Sequence, residues 1–313
     1  MQLTYLTFTA PRRDDEAFAS YKNRNKAALL NQEMNPNVAF SDSITFALQM
    51  GHPRTIRMKA DMIDKMDYDK ILAMYQDRYK DASDFTFILV GNVDVESMKP
   101  LIAEYLGALP AIDRKESFKD NKIEYRKGVY KNEFVREQET AKASNFVSFI
   151  GTCKYDLKNS ILQDMTCQIM DLVYTEKVRE DEGGTYGVYV GGNLSKYPKE
   201  IAGIQIVFDT APSKREKLMK IIFAEIEHIS KEGPSQANLN KVKEFMLKKH
   251  AEDLKENSYW MGSIDEYLFT GMNPIKNYEQ TVNSITAKDI QKFADDLFKQ
   301  KNEVEVSMIS PDK

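Results

Sequence analysis

The run Val178-R-E-D-E-G-G-T-Y-G-V-Y-Val190 separates a helical pattern from a strand pattern, and the fold is read outward from it. On its N-terminal side, residues 159–178 place Ile161, Leu162, Met165, Ile169, Leu172 and Val173 on one stripe of a helix. On its C-terminal side, residues 186–192 and 201–209 have strand character, and the turn-forming stretch from Asn193 to Lys199 joins them into an antiparallel pair. Further upstream, strands are predicted at 130–135 and 145–150. In the second of these Phe146, Ser148 and Ile150 alternate with Val147 and Phe149, so both faces are largely apolar and the strand belongs in the middle of a sheet. Downstream come helices at about 213–231, 236–254, 258–269 and 287–299, a short turn after Pro274, and a closing strand at 304–309. Strand pairs with helices gathered between them predict an α+β fold, an antiparallel or mixed sheet backed by helices.

An internal repeat extends this reading to the front of the chain. Leu3-T-Y-L-T-F-T-A-Pro11 matches Gly203-I-Q-I-V-F-D-T-A-Pro212, and residues 66–79 match 285–298 in apolar pattern. Each is followed by an alternating segment, Phe85-T-F-I-L-Val90 and Val304-E-V-S-M-Ile309. Two related domains are expected: residues 1–120, a repeat unit truncated at its front together with a linker, and residues 121–313, a complete unit. The polar stretch 108–127, with Pro110, supplies the linker.

With 313 residues, 42% of them hydrophobic, and a net charge of -4, the chain can build two cores and offers no basic face for nucleic acid. No run approaches the ~18 apolar residues of a membrane span. The start reads as an internal strand, without the apolar block of a signal peptide, which leaves both the compartment and the nativeness of Met1 open. Cys153 and Cys167 fit two small buried residues better than a disulfide or a metal site.

The order of Arg179, then Gly183 four residues on and Tyr186 seven residues on, resembles the second-half signature of the pitrilysin/insulinase (inverzincin) family of zinc peptidases. Residues 89–99 resemble the strand-turn-helix that ends one domain of each half in that family, and Ala10-Pro-Arg12 resembles a strand end of its bacterial members. Active members carry H-x-x-E-H, in which two histidines hold zinc and the glutamate is general base. That motif is absent: His52, His228 and His250 are the only histidines. The resemblance therefore implies the C-terminal, substrate-holding half of a bacterial member. Zinc would be supplied by an N-terminal H-x-x-E-H half, on the same polypeptide or a separate subunit, and this chain alone would be inactive toward peptides.

It further implies that Arg179 and Tyr186 reach the carbonyl of a bound peptide and stabilise the charge that builds there. Gly183 and Gly184 would let the chain turn sharply between helix and strand. Val188, Val190 and Gly191 lie in a strand whose edge could add a substrate peptide by main-chain pairing. The structural alternative has Arg179 capping the helix C-terminus, Tyr186 packing on the sheet, and 188–192 forming an ordinary strand. Two further functions stay open, an inactive scaffold subunit of the same fold and a stand-alone peptide-binding module.

Other candidates read as structural. The glycine-rich stretch 183–192 lacks a phosphate-loop lysine and precedes a strand instead of opening a helix. Ala224-E-I-E-His228 would be a zinc motif only with histidine at 224, so His228 is expected on a polar helix face. His52 and His250 are expected at the surface. Trp260, Ile264 and Tyr267 or Leu268 recur at helical spacing, which fits a core stripe or an interdomain contact, with a peptide-anchoring surface as the alternative.

Overall fold

The computed structural model describes residues 1–180 and 187–311, without the side chains of Arg179 and Glu180. It divides into two units: residues 1–35 with 57–121, and residues 36–56 with 122–313.

The larger unit is organised by Ala143–Thr152 (β2), buried along nearly its whole length. This strand pairs antiparallel with Ile201–Thr210 (β4) on one side and with Glu303–Ile309 (β5) on the other. Val129–Val135 (β1) adds parallel to β5, and Val188–Ser195 (β3) adds antiparallel to β4. The mixed sheet thus runs β1-β5-β2-β4-β3, with β2 central as its two apolar faces require.

One face carries the main core. Val147 and Phe149 of β2, together with Ile204, Ile206 and Phe208 of β4, pack against helices Leu157–Tyr174 (α7), Arg215–Lys231 (α8) and Ala287–Phe298 (α12). Gln236–Asp253 (α9) and Tyr278–Ser284 (α11) pack on α7 behind them. The α7 helix begins at Asp156, whose carboxylate accepts the Asn159 N–H at 2.9 Å, and α12 begins in a capping box between Thr286 and Asp289.

The opposite face of β2 and β5 is covered by Pro36–Gln49 (α3), a helix more than ninety residues away in sequence. Ala47 is fully buried there with Phe146, Val304 and Val306, and Phe40, Ile44 and Leu48 pack around them. At the β1 side, Arg215 reaches through the core to donate to Asn145 Oδ1 (3.0 Å) and Ser307 Oγ (2.9 Å) and pairs with Glu133 (2.8 Å). This keeps the buried polar pair Asn145 and Ser307 hydrogen-bonded.

The smaller unit is helical among its described residues: Gln2–Thr9 (α1), Asp15–Glu33 (α2), Ala60–Asp64 (α4), Tyr68–Tyr79 (α5) and Val95–Leu101 (α6). Phe8 anchors it, with edge-on contacts to Tyr79 and Phe85 at 4.9 and 4.8 Å. Asp81, almost fully buried, accepts the backbone N–H groups of Ser83, Ile112 and Arg114, which hold its carboxyl far below the usual range. Here the strand expectation for residues 3–9 fails. Without a neighbouring strand, the backbone donors of this segment close on their own chain as α1, which the contacts of Phe8 permit. Residues 85–90 are likewise outside any strand among the described residues.

On Asn257–Thr270 (α10) the buried residues are Ser263 and Thr270, whereas Trp260, Tyr267, Leu268 and Phe269 are exposed, so this is no core stripe. Trp260 instead hangs its indole N–H on the Leu254 carbonyl at 2.9 Å. No helix among the described residues is long and apolar enough to cross a membrane.

Two stability measurements follow. Phe146→Ala empties a site closed on both sides by the sheet and α3, and should lower urea-unfolding stability by about 3 kcal/mol. Burial and the neighbouring Glu305 carboxyl push Glu303 up to about 7. The folded state keeps a proton there that the unfolded chain releases above about 4.5, so stability should fall as pH rises from about 4.5 to about 7 and level off beyond. Glu303→Gln should flatten that fall in urea titrations repeated across this range.

Candidate functional site

The site predicted from sequence lies where α7 ends and β3 begins. Ile161, Leu162, Met165 and Ile169, four of the predicted stripe residues, are buried, whereas Leu172 is exposed. Past Tyr174 the helix widens into a π turn, Thr175–Glu180, which carries the backbone of Arg179. Three contacts fix this turn on α8. Tyr174, fully buried, donates its hydroxyl to the Ile222 carbonyl at 3.0 Å; Lys177 pairs with Glu225 at 2.5 Å; and Val178 is fully buried in the same core cluster as Ile222. Burial pushes the Tyr174 phenol well above its ordinary range, so it stays a donor. The arginine is therefore delivered from a clamped helix end, and a widened turn of this kind is frequent at functional sites.

The side chain of Arg179, together with Gly183, Gly184 and Tyr186, lies outside the described residues. Description resumes at Gly187 and enters β3, which pairs with β4 and forms the end of the sheet order. Val188 and Val190, 5% and 7% exposed, turn their side chains into the helix-side core, so these two residues have only their main chain to offer a ligand. Gly191 sits on the opposite face, paired with Gln205, and the ring of Tyr189 leans across the space that a Cβ at Gly191 would fill. Asp171 of α7 lies beside this strand; burial raises its carboxyl above the usual range, and the Val190 N–H pulls it partly back. Tyr174, Lys177 and Asp171 had no signal in the sequence beyond ordinary helix positions.

The remaining candidates are resolved by their surroundings. Cys153 and Cys167 are free thiols pushed up to about 11 and about 12 by burial, hence protonated and poor as ligands or nucleophiles. His228 is half exposed and faces Glu232 at 3.5 Å. His250 is a correction: it is 5% exposed, bonded through Nδ1 to the Tyr259 hydroxyl at 3.0 Å and stacked on Tyr278 at 4.2 Å. Its lysine neighbours point outward, while position 250 continues the buried row of Val242 and Met246. Among the described residues no three His, Cys, Asp or Glu side chains are grouped so as to hold a metal, so these residues do not fit a zinc site.

Residues 65–246 match the model of the peptidase M16 inactive domain, and the chain belongs to that family. It is 25% identical over 284 residues to a zinc protease PQQL-like of Arabidopsis thaliana, covering 84% of this chain and 29% of the relative. In fold it is similar to the periplasmic protease PqqL of Escherichia coli, with a TM-score of 0.79 at 16% identity over 95% of this chain and 33% of that one. It is also similar to a protease from Helicobacter pylori, with a TM-score of 0.80 at 15% identity over 96% and 73%. The chain thus spans about a third of the length of the curated relative and of the PqqL chain.

The clamp is open to test. Tyr174→Phe removes the hydroxyl's bond to the Ile222 carbonyl, which keeps its bond within α8, and should cost about 0.5–1.5 kcal/mol in urea unfolding. Amide exchange should rise at 175–180 more than at 161–170, since the hydroxyl ties down the turn.

Proposed function

We propose that this chain is the substrate-holding half of an M16 zinc peptidase that hydrolyses peptides or small proteins. Arg179 and Tyr186 act on the scissile carbonyl within a partner half that carries H-x-x-E-H. The observation that carries the reading is the placement of the Arg179-to-Tyr186 run between the clamped end of α7 and the end strand β3, in a chain of the M16 inactive-domain family. A guanidinium and a phenol are donors suited to an oxygen that gains charge as water adds, and donors held in advance stabilise that oxygen more than the ground-state carbonyl. Clamping by Tyr174, Lys177 and Val178 is what prepositioning requires.

The peptide itself is held along β3. Gly183 and Gly184 would supply backbone freedom between helix and strand, and the main chains of Val188, Val190 and Gly191 would pair with an extended peptide, which would take over the Val190 N–H from Asp171. Zinc belongs to the partner half, on the same polypeptide or a second subunit. The compartment is that of the Escherichia coli relative, the periplasm.

In the enzyme assembled from both halves, Arg179→Ala or Tyr186→Phe should lower kcat by roughly 10²–10³, with a smaller change in KM. Retained kcat with a lowered Tm would instead assign both residues to helix capping and sheet packing. The purified chain alone should hold no stoichiometric zinc after dialysis, as metal analysis would show.

A further inference from the structure

Residues 85–90, Phe-Thr-Phe-Ile-Leu-Val, carry strand chemistry without a sheet. The stretch is tied near its ends, where the Phe85 N–H donates to the Ala82 carbonyl at 3.1 Å and the Val93 N–H donates to the Gly91 carbonyl at 2.9 Å. Between these ties the N–H groups of 86–90 and the carbonyls of 85–90 make no main-chain hydrogen bond to any described residue. One side of the segment is already backed. Phe85 and Phe87 lie 4.8 and 6.0 Å from the Phe8 ring, and Phe85 lies 5.5 Å from Tyr79. Leu89 stays exposed. A backed segment with unspent main-chain groups along its length is the accepting side of a strand pairing.

The later part of the chain shows what such a segment takes. Helices α5 and α12 are each twelve residues long and each starts at a side-chain cap. Asp67 accepts the Lys70 N–H at 3.1 Å, and Thr286 accepts the Asp289 N–H at 3.2 Å. Caps, helix ends and the apolar segments that follow all stand at one offset of 219 residues: 67 and 286, 79 and 298, 85 and 304. At the later position the segment is β5, held on both edges, by β2 antiparallel and by β1 parallel. At the earlier position neither neighbour is present. All five described strands belong to the sheet of the larger unit, which leaves the smaller unit no strand of its own to offer. The chemistry of the antiparallel neighbour is that of β2, ten residues without a charged side chain.

We propose that residues 85–90 are a docking edge that receives an uncharged, largely apolar strand of the zinc-bearing half, added antiparallel as β2 is added to β5. The proposal rests on the two-half reading of the chain. More than two thirds of the curated relative's length lies outside the stretch that this chain matches, which is where such a strand would come from. The smaller unit thereby becomes a contact point between the halves, in addition to the end of the larger unit that carries Arg179.

The test uses the full chain and one probe, an acetylated peptide with the sequence of residues 143–152 followed by two lysines for solubility, standing in for the partner strand. Amide exchange at 86–90 should slow by about tenfold or more as the peptide is added, and the effect should saturate. The same peptide carrying Phe146→Pro and Val147→Pro lacks a central donor on either edge and should give no protection. In the chain, Ile88→Pro with Leu89→Pro removes two donors that the fold leaves unused, and should weaken the peptide about tenfold with Tm unchanged. No saturable protection at 86–90, equal protection by the proline peptide, or equal binding to the proline variant of the chain would overturn the docking edge. So would protection changes at 201–210 and 303–309 in place of 86–90, which would mean that the peptide exchanges with β2. Protection of 86–90 that grows with the concentration of the chain alone would assign the segment to a second copy of this chain instead. The readout needs neither zinc nor hydrolysis, so its failure is separable from a failure of the Arg179 and Tyr186 variants to change kcat.

Discussion

Burial of β2 on both faces is the constraint on which the larger unit depends. A strand whose odd residues Val147 and Phe149 and even residue Phe146 are all apolar must be covered twice. The helices α7, α8 and α12 cover one face, and α3, contributed from far upstream, covers the other. That second cover is short. It shields β5 and β2, touches β4 at Val207 and ends at Gln49, beyond which the same face opens into a cavity lined by Leu48, Ser148 and Gln205. The same sheet order that buries β2 puts β3 at the end, beside the helix that carries the arginine. Cover, cavity and candidate edge all follow from one strand being in the middle.

The functional division within the family has a physical counterpart here. Nothing in the described residues gathers ligands for a metal, and the two thiols and the exposed His228 sit in surroundings that leave them unsuited to that work. What the larger unit does gather is a clamped helix end and, after it, a strand with inward valines. On the proposed reading, such an end would serve to orient a peptide for a zinc-bearing half.

Legibility in the sequence followed the length and neighbourhood of each pattern. The strands at 143–152, 201–210 and 303–309 and the helix at 236–253 stand within about two residues of their predicted limits, and the helix at 157–174 ends four residues earlier than predicted, where the π turn begins. Each has a continuous apolar period and partners in the same unit. Residues 3–9 failed because alternation predicts a strand only if another strand is there to take its hydrogen bonds, and in this structure none does. The role of α3 was invisible, since its contact with β2 joins segments nearly a hundred residues apart. His250 was misplaced by its lysine neighbours, and the α10 aromatics by a helical spacing whose residues Trp260, Tyr267 and Leu268 stay exposed. The arginine, glycine and tyrosine spacing is legible in the sequence, although those side chains lie outside the described residues, whereas Tyr174, Lys177 and Asp171 carry meaning only once α7 packs on α8 and β3.

The central claim, that this chain completes a peptidase whose zinc lies elsewhere, is tested most directly by complementation. A zinc-loaded half bearing H-x-x-E-H, expressed separately from the gene region that encodes it, would be titrated with this chain while hydrolysis of a fluorogenic peptide is followed. The account predicts a rate that rises with added chain and saturates at one chain per zinc half. A zinc half that is fully active alone, with a rate indifferent to this chain, would contradict it.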